Sequence, residues 1–372
     1  MEKRNYVMYA CPETDSNIYY ATGFMAPDPF LLIVKNGIRY MVMTDLEIDR
    51  AKKQSKAEEV VSLSKIASEI DKSSMPPIEV ILEHLLKKLK MRSFEVPANF
   101  PSLIYSHLIQ KGFDIKIVPD PFFVERAYKK QDEIKKIAHS QKITEEAMAK
   151  VAYILKEANI RGKRIYYDGT CITSEYLKKV INIFLMEKNM IGAHTIVACG
   201  NDAVDPHNEG SGPIRPNESI IVDIFPRSME TLYYGDMTRT FVVGKPSEAL
   251  LKLYDAVLTA QNKALSMIKD GVLLADVHKA VQGVFEQLGY KTGLIKGRMQ
   301  GFFHSTGHGL GLDIHEPYRI SNIPGYLKTG MVQSVEPGLY YYGIGGVRIE
   351  DLVVVQKNGL INLNKFPKSI FP

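Results

Sequence analysis

The sequence predicts a mixed α/β protein of two domains, and three observations carry that expectation. Its 372 residues exceed the roughly 250–300 that one hydrophobic core usually serves. Strand-like and helix-like segments alternate through about residue 120, as in a small α/β domain. Pro119 and Pro121 then mark a break, beyond which amphipathic helices surround two pairs of strand-like runs, each pair holding two carboxylates. These signals place the domains at 1–122 and 123–372.

The elements follow in order. Asn17–Gly23, Phe30–Val34 and Ile38–Met43 read as short strands, the last two joined by the turn signal Lys35-Asn36-Gly37. Segments 45–54, 77–91 and 101–112 read as helices, with Ile81, Leu82, Leu85, Leu86 and Leu89 at three-to-four spacing. No glycine fingerprint for a nucleotide follows any of these strands. A long amphipathic helix is expected where Ile134, Ile137, Ala138, Gln141, Met148, Val151 and Leu155 recur. Further helices are expected at 174–188, at 248–269 behind the N-cap Ser247, and at 275–287.

Composition narrows the function classes. A net charge of +5 is small for this length and points to neither nucleic acid nor a membrane surface. Cys11, Cys171 and Cys199 are too few and too scattered for a disulfide framework or a zinc ribbon. Met1–Tyr6 shows no apolar secretory segment, and no run approaches the ~18–20 apolar residues of a membrane span. The expectation is a cytoplasmic chain.

The chemistry concentrates in the second half. Ser219–Phe225 is a strand-like run containing Asp223, and Asp236–Val243 begins with a second carboxylate. Val332–Glu336 and Val347–Val355 repeat the arrangement with Glu336 and Glu350. A hairpin can set such positions opposite one another, roughly 4.5–5.5 Å apart. Single acids of this kind are commonly strand-end residues paired with a neighbour such as Arg239 or Arg348. Four together in apolar strands repel and are costly to desolvate unless cations sit between them. His304, His308 and His315 follow in a glycine-rich segment, and imidazole is both a metal ligand and a proton shuttle near neutral pH. The flanking glycines allow the backbone a close approach.

These segments resemble the pita-bread metallopeptidases, the superfamily of methionine aminopeptidase, aminopeptidase P, prolidase and creatinase. The likeness rests on Asp223, Tyr234–Thr240, His304–Leu312, His315-Glu316, Val335–Tyr340 and Gly346–Asp351. Asn17–Phe24 resembles the creatinase-type N-terminal domain. The resemblance implies an antiparallel curved sheet flanked by helices, preceded by a smaller α/β domain. It also implies a metal-ligand set of Asp223, Asp236, His308, Glu336 and Glu350 around two divalent ions, with Glu336 doubling as proton shuttle. His304, His315 and His207 would line the substrate site, His315 facing the developing oxyanion. Arg348 and Thr238 would support the ligand carboxylates. Oxygen-rich ligation favours Mn²⁺, with Co²⁺, Zn²⁺ or Fe²⁺ as alternatives.

Among family members, an N-terminal domain disfavours methionine aminopeptidase and a complete ligand set disfavours creatinase. The expected activity is cleavage of the Xaa-Pro bond, Xaa-Pro dipeptidase being favoured because Arg319 resembles a position that holds a dipeptide's free carboxylate. The alternatives are an aminopeptidase acting on longer peptides, or a peptide-binding homologue that has lost catalysis. A proline-containing peptide and a second copy of the chain are the implied partners. Where many members have a glycine two positions after the first aspartate, Phe225 stands here. Phe225, Tyr233 and Tyr234 are either packing residues or, Tyr234 above all, part of the substrate wall.

Overall fold

Phe30–Lys35 carries an unbroken apolar run because both of its faces are covered. Leu31 and Ile33 enter one cluster with Leu82 and Leu86, while Phe30, Leu32 and Val34 enter another with Ile18 and Phe122. The computed structural model describes residues 4–372, so that Met1–Lys3 of the opening segment lie outside the described residues. It contains two units, one ending at Val124 and one spanning Glu125–Pro372.

The first unit is built on a six-stranded sheet. Its strands are β1 (Tyr6–Ala10), β2 (Phe30–Lys35), β3 (Ile38–Met43), β4 (Glu59–Ser62), β5 (Ser93–Pro97) and β6 (Asp114–Val118), in the order β4-β3-β2-β1-β5-β6. β1, β2 and β3 pair antiparallel, and the outer pairings are parallel. Helices α1 (Ser16–Thr22), α2 (Ile48–Gln54), α3 (Leu63–Ile70), α4 (Ile78–Lys88) and α5 (Ser102–Gln110) complete it. Residues 17–23, expected as a strand, form α1 instead. The Asp15 side chain accepts a hydrogen bond from Ile18 N–H, and Gly23 ends the helix at φ 62°. These end signals outweigh the β preference of Tyr19 and Tyr20.

In the second unit, α6 (Gln131–Lys156) and α7 (Ser174–Glu187) pack on a three-stranded antiparallel sheet of Ile196–Cys199, Ile220–Ile224 and Met237–Phe241. α8 (Glu248–Met267) and α9 (Leu274–Gln287) share a core with the strands Val332–Val335, Gly338–Tyr341, Gly345–Arg348 and Asp351–Gln356. Ser247 caps α8 by accepting from Leu250 N–H, as its sequence position suggests. Strand alternation sorts the side chains: Val222 and Ile224 turn to the helices, while Ile221 joins a separate small cluster and Asp223 faces a cavity.

Gln261 of α8 fixes the step at which the ligand-bearing strands change partners. Its buried amide nitrogen donates to Val335 O (3.0 Å) and Ile349 O (3.1 Å), carbonyls that flank Glu336 and Glu350 in sequence. Gln261→Ala leaves both carbonyls without their donor and is expected to destabilise the protein by about 2–4 kcal/mol. Urea unfolding of the variant beside the wild type checks this; a change below about 0.5 kcal/mol would show that Gln261 does not hold this step.

Candidate metal centre and substrate cavity

The first carboxylate pair sits on one continuous hairpin, but not on one rung. Asp223 pairs with Thr238, and the ladder runs on through Ile224↔Met237 to an isolated bridge at Arg227↔Tyr234. In that register Asp236 falls opposite Phe225, two residues from Thr238 and on the same face. The expectation of directly opposed aspartates is therefore corrected to a diagonal pair. Asp236 is held by Gln141 of α6, which donates to its carbonyl at 2.9 Å and accepts from its N–H at 2.7 Å. Gln141 is the polar residue in the apolar stripe of that helix.

The second pair shares a rung. Val335↔Asp351 and Gly338↔Arg348 belong to one register, which sets Glu336 opposite Glu350 at the unpaired step between the two ladders. Thr238 ties the hairpins together: its hydroxyl donates to Glu350 Oε2 at 2.8 Å, and its carbonyl accepts from Glu350 N–H at 3.1 Å. Arg239, expected to pair with one of the same acids, has no hydrogen bond to their carboxylates and meets only the backbone carbonyl of Glu350. It pairs with Asp351 at 3.0 Å and also donates to backbone carbonyls, fully buried.

His308 lies on the short strand Gly307–Gly309. A Cβ at Gly307 would stand 1.9 Å from Ser334 O, and one at Gly309 would stand 2.4 Å from Pro317 O, so only glycine admits the neighbouring strands this closely. His308 Nδ1 donates to Gly309 O at 3.0 Å. That bond leaves Nε2 to face Glu336 Oε1 at 3.2 Å and Asp236 Oδ2 at 3.6 Å. Ligand atoms of Asp236, His308 and Glu350 all lie within 4.8 Å of one another.

The charges explain what such a centre is suited to hold. Burial, then Glu350, Asp223 and Glu336, push Asp236 well above the ordinary carboxylate range. Burial, then Glu336 and Asp223, do the same to Glu350. Asp223 is also raised, mainly by burial, although Arg348 opposes this. Burial would raise Glu336 too, but its hydrogen bond and attraction to His308 bring it down to about 2. Arg348 Nη2 donates to Asp223 Oδ2 at 2.7 Å, while Asp223 Oδ1 is buried with no partner among the described residues. An orphaned carboxylate oxygen, two acids driven toward protonation and an imidazole nitrogen turned toward carboxylates fit bound divalent cations.

These groups line a cavity of about 730 Å³. His207, His304, His315, Arg319 and Arg348 also line it, with Phe225, Phe303, Ile314 and Ile196 as its apolar wall. The ring of His315 stands edge-on to that of His308, with centroids 4.4 Å apart. His304 differs from the other two. Its Nδ1 lies 2.8 Å from Ser305 O, where only an N–H fits, and its Nε2 lies 3.0 Å from Tyr340 OH. Tyr340 OH in turn receives Arg348 Nη1 at 3.0 Å. Both His304 nitrogens are thus engaged within the protein, and burial pulls its pKa down to about 4. Thr238 supports Glu350 from outside the cavity lining. Tyr234 is absent from the lining because it stands two rungs farther along the hairpin than Asp236; its N–H bonds Gly311 O at 3.0 Å. Tyr233 is buried, with its hydroxyl on Glu133.

Sequence reasoning did not identify Gln141, Ser334 or Tyr340 as parts of the site. Ser334 donates to Glu336 Oε1 at 3.1 Å and accepts from His308 N–H at 3.0 Å, orienting two of the grouped residues at once. Its signal was a hydroxyl two positions before a carboxylate in a buried strand.

Comparison with known proteins agrees with this architecture. Residues 8–119 match the creatinase/prolidase N-terminal domain. The chain is 29% identical to an Xaa-Pro dipeptidase from Pyrococcus furiosus, over 95% of this chain and 92% of that one. It is 28% identical to an uncharacterized peptidase from Staphylococcus saprophyticus, over 95% and 94%. The solved prolidase from Pyrococcus furiosus superposes with a TM-score of 0.79 at 26% identity, covering 98% of this chain and 97% of that one. An X-Pro aminopeptidase structure from Thermotoga maritima gives 0.82 at 23% identity, covering 100% and 98%, and shares the fold. Residues 135–357, more than half of the chain and the stretch that supplies every grouped acid and His308, match the model of metallopeptidase family M24, and the chain belongs to that family of enzymes.

Proposed function

We propose that the cavity is the active site of a dinuclear-metal hydrolase that cleaves the Xaa-Pro bond, with Xaa-Pro dipeptides as the favoured substrates. The observation that carries this reading is the grouping of Asp236, Glu336 and Glu350 about His308, with Asp223 acting on Asp236 in the same cavity and its Oδ1 lacking a partner among the described residues. Those five residues would hold two divalent ions. Oxygen-rich ligation supports Mn²⁺ ahead of Co²⁺, Zn²⁺ or Fe²⁺. When bound, the ions supply Lewis-acid polarisation and an acidified water.

The chain's own groups take the remaining roles. Glu336, oriented by Ser334, takes the proton from the attacking water and passes it to the leaving nitrogen. His315, on the open side of the cavity, donates a hydrogen bond to the scissile carbonyl as charge develops there. Burial and the neighbouring His308 and Arg319 hold its pKa down to about 4, so it acts as a neutral donor above that pH. His207, on the same rim, contacts the peptide. His304 acts as a neutral wall, because Tyr340 and Ser305 occupy both its nitrogens. Phe225 and Ile314 offer the pyrrolidine ring an apolar surface, and Arg319 meets a free carboxylate. A homodimer in the cytoplasm completes the proposal, supported by the resemblance to prolidases.

Asp236→Asn is expected to reduce hydrolysis of an Xaa-Pro dipeptide to background. In protein stripped by a chelator, the same substitution raises the unfolding midpoint at neutral pH, since it removes an acid whose pKa is raised on folding by burial and acidic neighbours, which costs folding free energy above the unfolded-state pKa. Full turnover of the variant at saturating metal would overturn the ligand assignment. Adding Mn²⁺ at a hundredfold excess over Kd stabilises the stripped wild type by about 2.7 kcal/mol for each ion bound if only the folded state binds. An unchanged midpoint would remove the two-ion centre.

Arg319→Ala is expected to raise KM for an Xaa-Pro dipeptide about ten- to hundredfold, the worth of a hydrogen bond to a charged group, with kcat little changed. Steady-state kinetics on Xaa-Pro and Xaa-Pro-Yaa peptides check the assignment. Efficient cleavage of the tripeptide together with an unchanged KM in the variant moves the protein to the aminopeptidase class.

A further inference from the structure

Glu316 follows His315 in sequence but does not enter the cavity lining; it is buried beneath the loop that carries His315. Its carboxylate gathers four donors. Lys129 Nζ approaches Oε2 at 2.6 Å, Arg126 Nη2 reaches Oε1, and the N–H groups of Leu312 and Asp313 reach Oε1 at 3.0 and 3.3 Å. The side chains of Lys129 and Glu316 are 2% and 3% exposed, which places the pair beyond the screening that weakens surface ion pairs. Burial would raise the Glu316 carboxyl, but Lys129 and Arg126 more than offset it and keep it below its ordinary value.

The loop is wrapped around this carboxylate. A Cβ at Gly311 would stand 2.8 Å from both Glu316 oxygens, so the backbone passes over them with no side chain between. The two ends of the segment are also fixed: Leu310 N–H bonds Val332 O, and Glu316 begins the strand that pairs Gly309↔Glu316. His315 closes this wrapped segment, and its ring rests edge-on against His308.

We propose that Glu316 is a positioning residue. Held by Lys129 and Arg126, it sets the 310–315 loop so that His315 faces the scissile carbonyl. The proposal rests on the role given to His315 above. Glu316 itself touches neither substrate nor ion, and it acts only through its neighbour.

A double-mutant cycle on the full-length, metal-saturated enzyme tests this, with an Xaa-Pro dipeptide as substrate and bound metal and unfolding midpoint recorded for each variant. E316Q keeps the shape and removes the charge; it is expected to lower kcat/KM about tenfold to a hundredfold, mainly in kcat, at unchanged metal content. H315A removes the group acted upon. E316Q/H315A should then equal H315A within about threefold, because there is no imidazole left to misplace. Multiplying losses in the double variant, or wild-type kcat in E316Q, would overturn the role of Glu316 while leaving that of His315 intact. Wild-type kcat in H315A would remove both. If E316Q does not fold, E316Q/K129M replaces the unpaired buried ammonium with an apolar chain of similar length. That variant, with and without H315A, reads the same cycle.

Discussion

The electrostatic repulsion among four acids at one buried centre is the constraint to which the rest of the catalytic unit answers. Asp223, Asp236, Glu336 and Glu350 come from four strands or their ends, and among the described residues their side chains have Arg348, His308, Thr238 and Ser334 as direct side-chain partners. That is too little to stabilise four negative charges away from water, which is why two of the acids are driven toward the protonated state. The ladders, the capped helices and the glutamine clamps at Asp236 and at Val335 and Ile349 are what hold the acids together against that repulsion.

Arg348 shows how one cation can serve several groups. It neutralises Asp223, receives part of its own support from Tyr340, and through Tyr340 fixes the protonation pattern of His304. Burial lowers its tendency to stay charged, but Tyr340, Asp223 and Glu336 raise it well beyond the ordinary arginine value. A lysine in its place would offer a point charge without the fork that reaches Asp223 and Tyr340 together. Arg239 performs a comparable task on the opposite face, where it joins Asp351 to the chain near Phe366 and Pro367.

Much of this was legible in the sequence, for reasons that can be named. Long helices announce themselves, α6 by its periodicity and α8 by its N-cap Ser247, and both formed where expected. The acids and His308 stood out because such residue types are rare in apolar strands and loops. The strand expected over Asn17–Gly23 is instead the helix Ser16–Thr22, whose seven residues show too few turns for its period to compete with two tyrosines. The diagonal placement of Asp223 and Asp236 depends on register, which spacing alone does not fix. The state of His304 hinges on Tyr340, thirty-six residues away in the chain. Likewise, nothing local marks Lys129 as the partner of Glu316; that pairing exists only once the chain has folded.

The two ligand hairpins share a layout with a consequence for how such enzymes diversify. In each, the acids sit inside a fixed register, and the reversal of the chain lies beyond it, past Arg227↔Tyr234 in one case and past Tyr341↔Gly345 in the other. Residues added or lost at those tips leave the alternation of faces undisturbed, whereas a single residue gained between an acid and its tip would turn that acid away from its companions. The fold therefore separates what must be inherited unchanged from what can be lengthened, and new surroundings can evolve beside an unaltered chemical centre.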